Sequence, residues 1–478
     1  MNTPREQLQQ AFQLQMAGKT REAGAAYRDI LADYPDHPEA TRLLGLVALQ
    51  EKRAEDALPL LHKAAELAPA NPLPWDHLCE AMLLLDRLEE AADCAEAAVT
   101  RAESNPQIVL RLASIQRLLG QNDEAQATAG RALELDPNHA AAQQLRGSLR
   151  FARGEIEPAI EDLLAARKAE DRPKDDLCLL AQALMVTDRL DELAELPPVT
   201  SPQEILGEIV LQAIYAWEHG AIETCAEAIG YIREVSRKQR KPSYFRKLAL
   251  HLEALMAYHE TRPESLDGVE EGQLILIGDS SVLAAANLLV PFGGKQARLA
   301  SRFIPFGDLQ QVTAPAPNLQ RAWLERELDK LPQGVSVGFL FGRLRLRDMA
   351  AKLGQGEESA ESLGMTELDL LAANYVSLAA QAARDRNLTP LFVTAPLPNI
   401  KHSVAGEPWN EVVKAAERFN DSLRSEAQLR DAHVIELYRV TLGADGGPNA
   451  GKFFGGNNDL RPLAIEESFQ GRFGNLPH

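Results

Sequence analysis

Small residues recur at two positions of a 34-residue period over the first 170 residues of the chain. Counted from Pro4, the twentieth residue of each block is alanine, namely Ala23, Ala57, Ala91, Ala125 and Ala159. The eighth residue is small as well, namely Ala11, Gly45, Cys79, Ala113 and Gly147. Pro35, Pro69 and Pro137 close three of the blocks. Because helices cross closely where both carry small residues, and because proline ends a helix, the pattern predicts a row of helical hairpins.

The pattern weakens after the fifth block. Leu193 takes the alanine position of the sixth block, and Pro197-Pro198 interrupts the sequence that follows. Three more helices are predicted at Glu208–Glu218, Ala221–Arg237 and Tyr244–His259, the last of them as a cap. Degenerate terminal repeats allow a solenoid to end. The sequence therefore predicts six to seven helical hairpins over residues 1–260, five of them regular.

This period resembles the tetratricopeptide repeat. The best copy carries Leu44-Gly45, Ala57, Leu61, Ala64 and Pro69 at the positions of the repeat's signature. The resemblance implies a curved array whose concave face is lined by the first helix of each pair and holds a peptide or another protein. Candidate groove residues are Arg42, Arg111 and Gln116. The alternative is that the array only spaces or braces the second domain.

From residue 272 onward, short apolar runs alternate with segments of helical period. The predicted strands are Gln273–Gly278, Ala297–Ile304, Val335–Phe341, Leu391–Thr394 and Val434–Tyr438. The predicted helices between them are Leu319–Lys330, Thr366–Arg386 and Glu411–Arg424. Strands separated by helices imply crossover connections, so residues 272–478 are predicted to form a three-layer α/β domain with a parallel, flavodoxin-like sheet. Residues 261–271 are predicted to be a linker.

The first of these runs turns abruptly into Gly278-Asp279-Ser280. A strand that passes at once into a helix places Ser280 at the carboxyl edge of the sheet, where the first N–H groups of the helix suit a developing negative charge. Ligands of open parallel sheets bind at that edge. The other loops predicted there are Phe306-Gly307-Asp308, Gly342–Arg345, Ala395–Asn399 and Phe453–Pro462.

The order of these loops resembles that of the SGNH hydrolases, esterases and acyltransferases that begin with a Gly-Asp-Ser block. The resemblance implies that Ser280 is a nucleophile and that Gly307 belongs to the oxyanion hole. The chain departs from the family's pattern in two places. Gly342-Arg343-Leu344-Arg345 has no asparagine, and in Gly456-Asn457-Asn458-Asp459-Leu460 glycine stands where the aspartate belongs and Asp459 where the base histidine belongs.

Two functions of different classes follow, because a serine without its base is a weak nucleophile. In the first, the second domain is catalytically degenerate and binds an acyl, glycan or anionic ligand or a protein partner. Its candidate ligand-binding residues are Asp279, Gly307, Arg343, Arg345, Asn457, Asn458 and Asp459. In the second, it is a serine esterase or acyltransferase that acts on an O-acyl group of a glycan or protein through Ser280, with His402 as the replacement base.

The two alternating arginines of the third loop leave a similar choice open. The guanidinium groups of Arg343 and Arg345 suit a carboxylate, sulfate or phosphate group of a ligand. Alternatively, they pair with nearby surface carboxylates such as Asp348. The sequence therefore makes an anionic ligand one option for this domain and does not require it.

Composition narrows the class of partner. The 478 residues are 45% hydrophobic and 25% charged, as in a globular protein, and their number predicts at least two domains. The net charge of −19 argues against nucleic acid, because phosphate binding needs a basic surface. Residues 1–260 hold 28 basic and 42 acidic side chains and so carry most of this charge. That half of the chain either binds a basic protein or simply has an acidic, solvated surface.

Neither a metal nor a cofactor is predicted. Cys79, Cys94, Cys178 and Cys225 lack C-x-x-C spacing and lie in helical pattern, so they are predicted to be buried thiols. No phosphate-binding loop, dinucleotide fingerprint, zinc spacing or calcium loop occurs in the sequence. No apolar run approaches the roughly 20 residues of a membrane span, and the first residues do not read as a signal peptide, so the cytoplasm is the expected compartment.

Overall fold

The computed structural model describes residues 3–175, 177–236, 244–261, 274–292, 295–305, 307–341, 365–397, 407–444, 446–454 and 459–470. Contacts between residues group the chain into two compact units. The first unit contains residues 1–150 and 157–173, and the second contains residues 151–156 and 174–478. Helices between residues 174 and 260 therefore belong with the sheet by their contacts. The domain boundary predicted near residue 260 stays a prediction.

Ten helices form five successive hairpins between residues 4 and 168, as the 34-residue period predicts. They are α1 (Pro4–Met16), α2 (Thr20–Asp33), α3 (Pro38–Gln50), α4 (Ala54–Leu67), α5 (Pro72–Leu84), α6 (Leu88–Arg101), α7 (Pro106–Leu118), α8 (Asn122–Leu135), α9 (Ala140–Ala152) and α10 (Ile156–Lys168). Proline opens α1, α3, α5 and α7, where its missing N–H costs nothing. The preceding side chain caps each of these helices. Asn105, for example, accepts hydrogen bonds from the N–H groups of Gln107 and Ile108.

The two small positions of the period lie where the helices of a hairpin cross. All five alanines of the twentieth position have no exposed surface. At the eighth position, a Cβ atom on Gly45 would lie 2.7 Å from Cδ2 of Leu61, and one on Gly147 would lie 2.9 Å from Cγ of Leu163. The blocks that carry Cys79 and Ala113 at the eighth position instead carry alanine sixteen residues later. Glycine therefore faces leucine in two blocks, and two small residues face each other in the other two, so the two helices never both carry a large side chain at this crossing.

The second unit begins with further helices. They are α11 (Leu179–Val186), α12 (Pro202–Glu218), α13 (Ile222–Ser236) and α14 (Tyr244–Glu260), with a 3₁₀ helix at Leu190–Glu195. Helix α12 is six residues longer than the predicted Glu208–Glu218, because Pro202 opens it after Ser201. The four cysteines are buried thiols outside any disulfide, as predicted.

A five-stranded parallel sheet follows. Its strands are β1 (Leu274–Gly278), β4 (Ala300–Phe303), β5 (Ser336–Leu340), β6 (Thr389–Val393) and β7 (His433–Ile435), in the order β4-β1-β5-β6-β7. In the centre, Leu276 lies opposite Ser301 of β4 and Gly338 of β5. All five residues of β1 are buried, as expected of a parallel strand covered on both faces. The predicted parallel α/β fold is confirmed, whereas its assignment as three-layered and flavodoxin-like stays a prediction.

Two predicted strands are wrong in their bounds. The run Ala297–Ile304 is two strands, because β3 (Lys295–Arg298) pairs antiparallel with β2 (Leu289–Phe292) in a separate hairpin, whereas β4 joins the main sheet. The chain changes sheets at Leu299, whose N–H donates to the carbonyl of Leu288. The last run stops at Ile435, because the residues after it form a short helix, α19 (Leu437–Val440). Apolar composition alone does not mark either change.

The remaining elements complete this unit. They are α15 (Leu309–Thr313), α16 (Leu319–Asp329), α17 (Met365–Arg384), α18 (Glu407–Leu429), α20 (Pro462–Gln470) and the short paired strands β8 (Phe453–Phe454) and β9 (Asp459–Leu460). Aromatic rings fill the core beside β5 and β6, where Phe339 and Phe392 stack with ring centroids 5.5 Å apart. In the part of the chain that the structure describes, no helix combines the length and the apolar character needed to cross a membrane.

Candidate functional site

Strands β1 and β5 end at the point where the chain's connections diverge. From β1 the chain runs to β4 on one side and then to β5 on the other. Such a switch point opens a crevice beyond the carboxyl ends of the two strands, which is the usual ligand position in open parallel sheets. Here the switch point lies beside Gly278 and Leu340, the last residues of β1 and β5. The structure therefore places the predicted Gly278-Asp279-Ser280 turn at this edge.

Gly278 is required by a close approach of the two strands. A Cβ atom at this position would lie 1.6 Å from the carbonyl oxygen of Leu340. The same oxygen accepts the N–H of Asp279 at 3.2 Å, and the N–H of Ile304 donates to the carbonyl of Gly278 at 2.7 Å. These bonds fix the start of the turn between β4 and β5.

The helix predicted after the turn is only one short 3₁₀ helix, Ser280–Ala284. Asp279 caps it, because its Oδ1 accepts the N–H of Ser281 at 2.8 Å. The carbonyl of Asp279 accepts the N–H of Val282 at 3.0 Å. The expectation that the first N–H groups of this helix are unpaired is therefore wrong for Ser281 and Val282. Within the described residues, the N–H and the hydroxyl of Ser280 have no hydrogen-bond partner.

Gly307 lies beside this turn, as its predicted place in the site requires. A Cβ atom on Gly307 would be 3.5 Å from Cα of Asp279 and 3.4 Å from the ring of Phe341. Its N–H, however, donates to the carbonyl of Ile304 at 3.1 Å. In this structure, that amide is occupied by the protein's own backbone, so it is not free to stabilise an oxyanion.

The other predicted site residues are only partly covered by the structure. His402, Arg343, Arg345, Asn457 and Asn458 lie outside the described residues. Asp459 begins β9, where it pairs with Phe454 of β8. Strand β9 packs against the Ser280–Ala284 helix, so the last loop returns to the predicted edge of the sheet. The roles assigned to these residues stay predictions.

The structure adds one aromatic residue that the sequence did not single out. Tyr375 of α17 packs edge-on against Phe341 and Phe392, with ring centroids 5.8 Å and 5.5 Å away. The ring is buried, and its hydroxyl has no hydrogen-bond partner among the described residues. Burial raises the pKa of Tyr375 well above its ordinary value, and the charge of Asp279 raises it further. In the sequence, Tyr375 lies at one of many apolar positions of a helix, and only its hydroxyl group distinguishes it from its neighbours.

Helix α12 supports the turn from behind. The indole Nε1–H of Trp217 donates to the carbonyl of Leu283 at 2.9 Å. The side-chain amide of Asn287 returns a 2.9 Å bond to the carbonyl of Trp217. Asn287 itself has a φ of 67°, a left-handed conformation that asparagine tolerates better than most residues. The sequence assigned α12 to the repeat array, so this contact was missed.

The next residue of α12, Glu218, is a buried acid that holds the edge strand β4. Its Oε1 accepts the N–H of Phe303 at 2.5 Å and the hydroxyl of Ser301 at 3.2 Å. Arg302 lies 3.6 Å from the buried Glu327, and Lys330 bridges Glu327 at 2.8 Å and Asp188 at 3.0 Å. Burial raises the pKa of Glu218 to about 8, an effect that Arg302 opposes and Glu327 reinforces. Glu218 is therefore mostly protonated at neutral pH.

This acid should make the second unit less stable as the pH rises. Between about pH 5 and pH 8, the unfolded chain has released the Glu218 proton and the folded chain has kept it, so a rise in pH lowers the free energy of unfolding by up to ~1.4 kcal/mol per pH unit. We expect Glu218→Gln, which keeps the shape and the acceptor oxygen, to flatten this dependence. The measurement is urea unfolding of the second unit from pH 5 to pH 8.5. The exposed Glu223→Gln on α13 should leave the slope unchanged, and an equal slope for wild type and Glu218→Gln would contradict the assignment.

The predicted groove residues of the first unit are not exposed side chains. Arg42 is 7% exposed and pairs with Glu39, and its Nη1 lies 3.3 Å from Nδ1 of His77 in the next hairpin. Arg111 pairs with the buried Asp76 of the preceding hairpin at 2.5 Å. Gln116 is half-buried. Arg42 and Arg111 thus link neighbouring hairpins, and the prediction that they are exposed side chains is wrong.

Comparison with known families decides what the first unit is. Models of the tetratricopeptide repeat match residues 14–72 and residues 106–139. The N-terminal region contains tetratricopeptide repeats. These two matches lie in the first unit and do not extend to the α/β region. No curated protein matches the chain.

Solved structures of tetratricopeptide proteins are similar to part of the chain. Pseudomonas aeruginosa pilF is 15% identical over 51% of this chain and 95% of its own, with a TM-score of 0.37. A thermophilic TPR protein of Thermus thermophilus is 23% identical over 38% of this chain and 100% of its own, with a TM-score of 0.32. YrrB, described as a TPR protein with an unusual peptide-binding site, is 16% identical over 48% and 97%, with a TM-score of 0.30.

The tetratricopeptide repeats do present other first-helix side chains to the surface. The ninth residue of each block is at least partly exposed, namely Phe12, Leu46, Glu80, Ser114 and Ser148. The hydroxyls of Ser114 and Ser148 bond to the backbone of their own helices. Glu80 of α5 is the charged member of this row. It is the side chain of the row best suited to meet a charged partner.

Proposed function

We propose that this chain is a binding scaffold, in which the tetratricopeptide repeats hold a protein or peptide and the α/β region binds an acyl, glycan or anionic ligand without hydrolysing it. The observation that carries the proposal is the row of five regular hairpins, of which residues 14–72 and 106–139 match tetratricopeptide models. Repeats of this kind stack through buried small residues and leave one face of their first helices for partners. The family resemblance supports protein binding.

Charge supports a basic partner for the repeats. The first unit, residues 1–150 and 157–173, holds 27 acidic and 18 basic side chains. Many of the basic side chains that are present are already paired, as Arg42 is with Glu39 and Arg111 with Asp76. A basic peptide would therefore be attracted to this unit and gain contacts with partly exposed carboxylates such as Glu80.

The binding role proposed for the α/β region rests on what surrounds Ser280. Ser280 lies at the switch-point edge of the sheet, in the position that the resemblance to SGNH hydrolases gives to the nucleophile. The family's base and its orienting aspartate are replaced by Asp459 and Gly456 in the sequence. The amide of Gly307 is already bonded to Ile304. A serine in the family's position but without the family's base favours binding over acyl transfer.

Reversing one charge on the first helix of the third repeat tests the scaffold. Basic peptides are selected by display on the full-length chain, and the dissociation constant of the best peptide is then measured for three proteins. We expect Glu80→Arg to weaken binding roughly tenfold or more, because it places like charge in the proposed groove. The matched control is Glu96→Arg on the second helix of the same repeat, which should stay within about twofold of wild type. Equal weakening by both variants, or no selected peptide at all, would refute groove binding.

A further inference from the structure

The last turn of helix α12 is bonded to two different parts of the α/β region. Trp217 donates its indole N–H to the carbonyl of Leu283, in the turn that carries Ser280, at 2.9 Å. Glu218, the next residue, accepts the N–H of Phe303 in the edge strand β4 at 2.5 Å. Because α12 ends at Glu218, both bonds are made by the end of a helix, which is the part of a helix that opens most readily. One helix end therefore holds both the turn and the edge strand.

Glu218 borders a small cavity that is lined mainly by titratable and charged side chains. The cavity has a volume of about 10 Å³, which is close to the space that one water molecule needs. An ionised carboxylate in this cavity would have room for a single water molecule instead of a full hydration shell, so its charge is costly. The titratable and charged side chains that face the cavity are Asp188 after α11, Tyr215, Glu218 and His219 at the end of α12, Arg302 of β4, and Glu327 and Lys330 at the end of α16.

Three carboxyl groups line this cavity together with the cations Arg302 and Lys330. Lys330 pairs with Asp188 at 3.0 Å and with Glu327 at 2.8 Å. Arg302 lies 3.6 Å from Glu327 and also donates to the backbone of its own strand. Among the described residues, Glu218 forms no ion pair. Both cations are thus paired with other carboxylates, and Glu218 is the carboxyl group left without a counter-charge.

The missing counter-charge and burial both keep Glu218 protonated while it is bonded to β4. Burial raises its pKa to about 8, and the charge of Glu327 adds to the rise, whereas that of Arg302 opposes it. When the end of α12 moves away from β4 into water, the carboxyl group regains its ordinary pKa of 4.5. Between these two pKa values the closed form holds one more proton than the open form. Each rise of one pH unit in that window therefore favours opening by up to about tenfold, and the dependence ends above pH 8.

We propose that Trp217 and Glu218 form a proton-sensitive latch, which holds the Ser280 turn and the edge strand β4 together and opens more readily as the pH rises. Glu218 responds to the pH, and Trp217, beside it on the same helical turn, transmits the opening to Leu283. Asn287 strengthens the closed form, because its side-chain amide donates to the carbonyl of Trp217 at 2.9 Å. The latch is a property of the fold and does not require that Ser280 binds a ligand.

The indole N–H of Trp217 reports the latch, because its hydrogen bond to Leu283 must open before the proton can exchange with solvent. Its exchange in the full-length protein is measured by NMR from pH 5 to pH 9, relative to a free indole at each pH, and the signal is assigned by its loss in Trp217→Phe. We expect its protection to fall by up to about tenfold per pH unit as far as pH 8 and then to level off. Glu218→Gln, which keeps an acceptor oxygen and has no charge, should flatten this dependence, whereas the exposed Glu223→Gln should leave it unchanged.

A second variant tests the charge balance of the cavity. Glu327→Gln removes a negative charge that faces Glu218 and frees Arg302 and Lys330 from their shared partner. Ionised Glu218 is then less costly, so we expect the protection of the Trp217 proton to level off at a lower pH than in wild type. An unchanged levelling-off would contradict the account of the cavity, and this result does not depend on whether Glu218→Gln folds.

Low concentrations of urea separate opening of the latch from unfolding of the whole unit. A local opening exposes little surface, so the exchange of the Trp217 proton should hardly depend on urea. The amide of Thr394, which bonds to Ile435 within the sheet, serves as the reference for larger unfolding. Equal urea dependence of the two protons would overturn the latch. Equal pH dependence in wild type and Glu218→Gln would overturn the role of Glu218.

Discussion

Replacing Gly278 by alanine is expected to abolish the fold of the α/β region. The added Cβ would lie 1.6 Å from the carbonyl oxygen and 2.5 Å from the carbonyl carbon of Leu340, and 3.1 Å from Cγ1 of Val282. The first two atoms are backbone of the neighbouring strand and cannot swing aside as a side chain can. Moving β5 away would break its parallel pairing with β1 and the bond from Asp279 to Leu340. We expect a loss of more than ~4 kcal/mol, in the range of the most damaging single substitutions.

Urea unfolding followed by circular dichroism and by tryptophan fluorescence measures this effect in the full-length chain. The control is Gly230→Ala on α13, where a Cβ atom meets nothing within 4 Å. Alanine in the middle of a helix is favoured over glycine by up to about 1 kcal/mol, so this variant should be slightly more stable than wild type. A Gly278→Ala protein that unfolds at the wild-type urea concentration would show that β1 and β5 do not approach as described.

The repeat unit was predictable because its physics is local. A hairpin needs small residues at its crossing and a stop at its end, and both recur at fixed spacing in the sequence. Ala57 and Gly45 could therefore be placed in the core before any contact was known. The contacts of the charged side chains in these repeats were predicted less well. Arg42 looks like a solvated side chain, but its partner His77 lies one repeat away, and such pairings are not visible in a single helix pattern.

The sheet was predictable where burial is uniform and not where the chain changes sheets. Four apolar residues before Gly278 mark β1, which is covered on both faces. The run Ala297–Ile304 looks equally continuous, yet its first half pairs with β2 in a hairpin that the bond from Leu299 to Leu288 extends. The helix predicted after Gly278-Asp279-Ser280 is likewise only one 3₁₀ turn, Ser280–Ala284, and Asn287 follows it with a left-handed φ of 67° that helix propensity does not report.

The contact of helix α12 with the turn could not be predicted because its two residues are far apart in the sequence. Trp217 and Leu283 are 66 residues apart, and Trp217 lies in a segment that reads as another repeat helix. A buried indole needs a partner for its N–H, but the sequence does not say which carbonyl provides it. Tyr375 was missed because a tyrosine on the apolar face of a helix usually signals only packing. Its significance depends on the missing partner of its hydroxyl, which a structure alone can reveal.

Hydrolysis of short acyl esters through Ser280 is expected to be absent or at least on the order of 10⁴-fold below that of an intact serine hydrolase. Ser280 occupies the turn at the edge of the sheet, but the sequence places no histidine in the last loop and no asparagine in the third. The Gly307 amide, a further candidate donor to an oxyanion, is bonded to Ile304. The loss of the base and of oxyanion donors together removes several kcal/mol of transition-state stabilisation. Binding needs neither group, so it can persist where turnover does not.

Whether the chain is a scaffold or an enzyme is decided most directly by labelling Ser280. The full-length protein is treated with a fluorophosphonate, its intact mass is recorded, and turnover of a short acyl ester is measured for wild type, Ser280→Ala and His402→Ala. A binding scaffold shows no stoichiometric label and the same background turnover in all three proteins. Stoichiometric labelling at Ser280, with turnover abolished by both substitutions, would contradict the scaffold and make His402 the base of an active esterase.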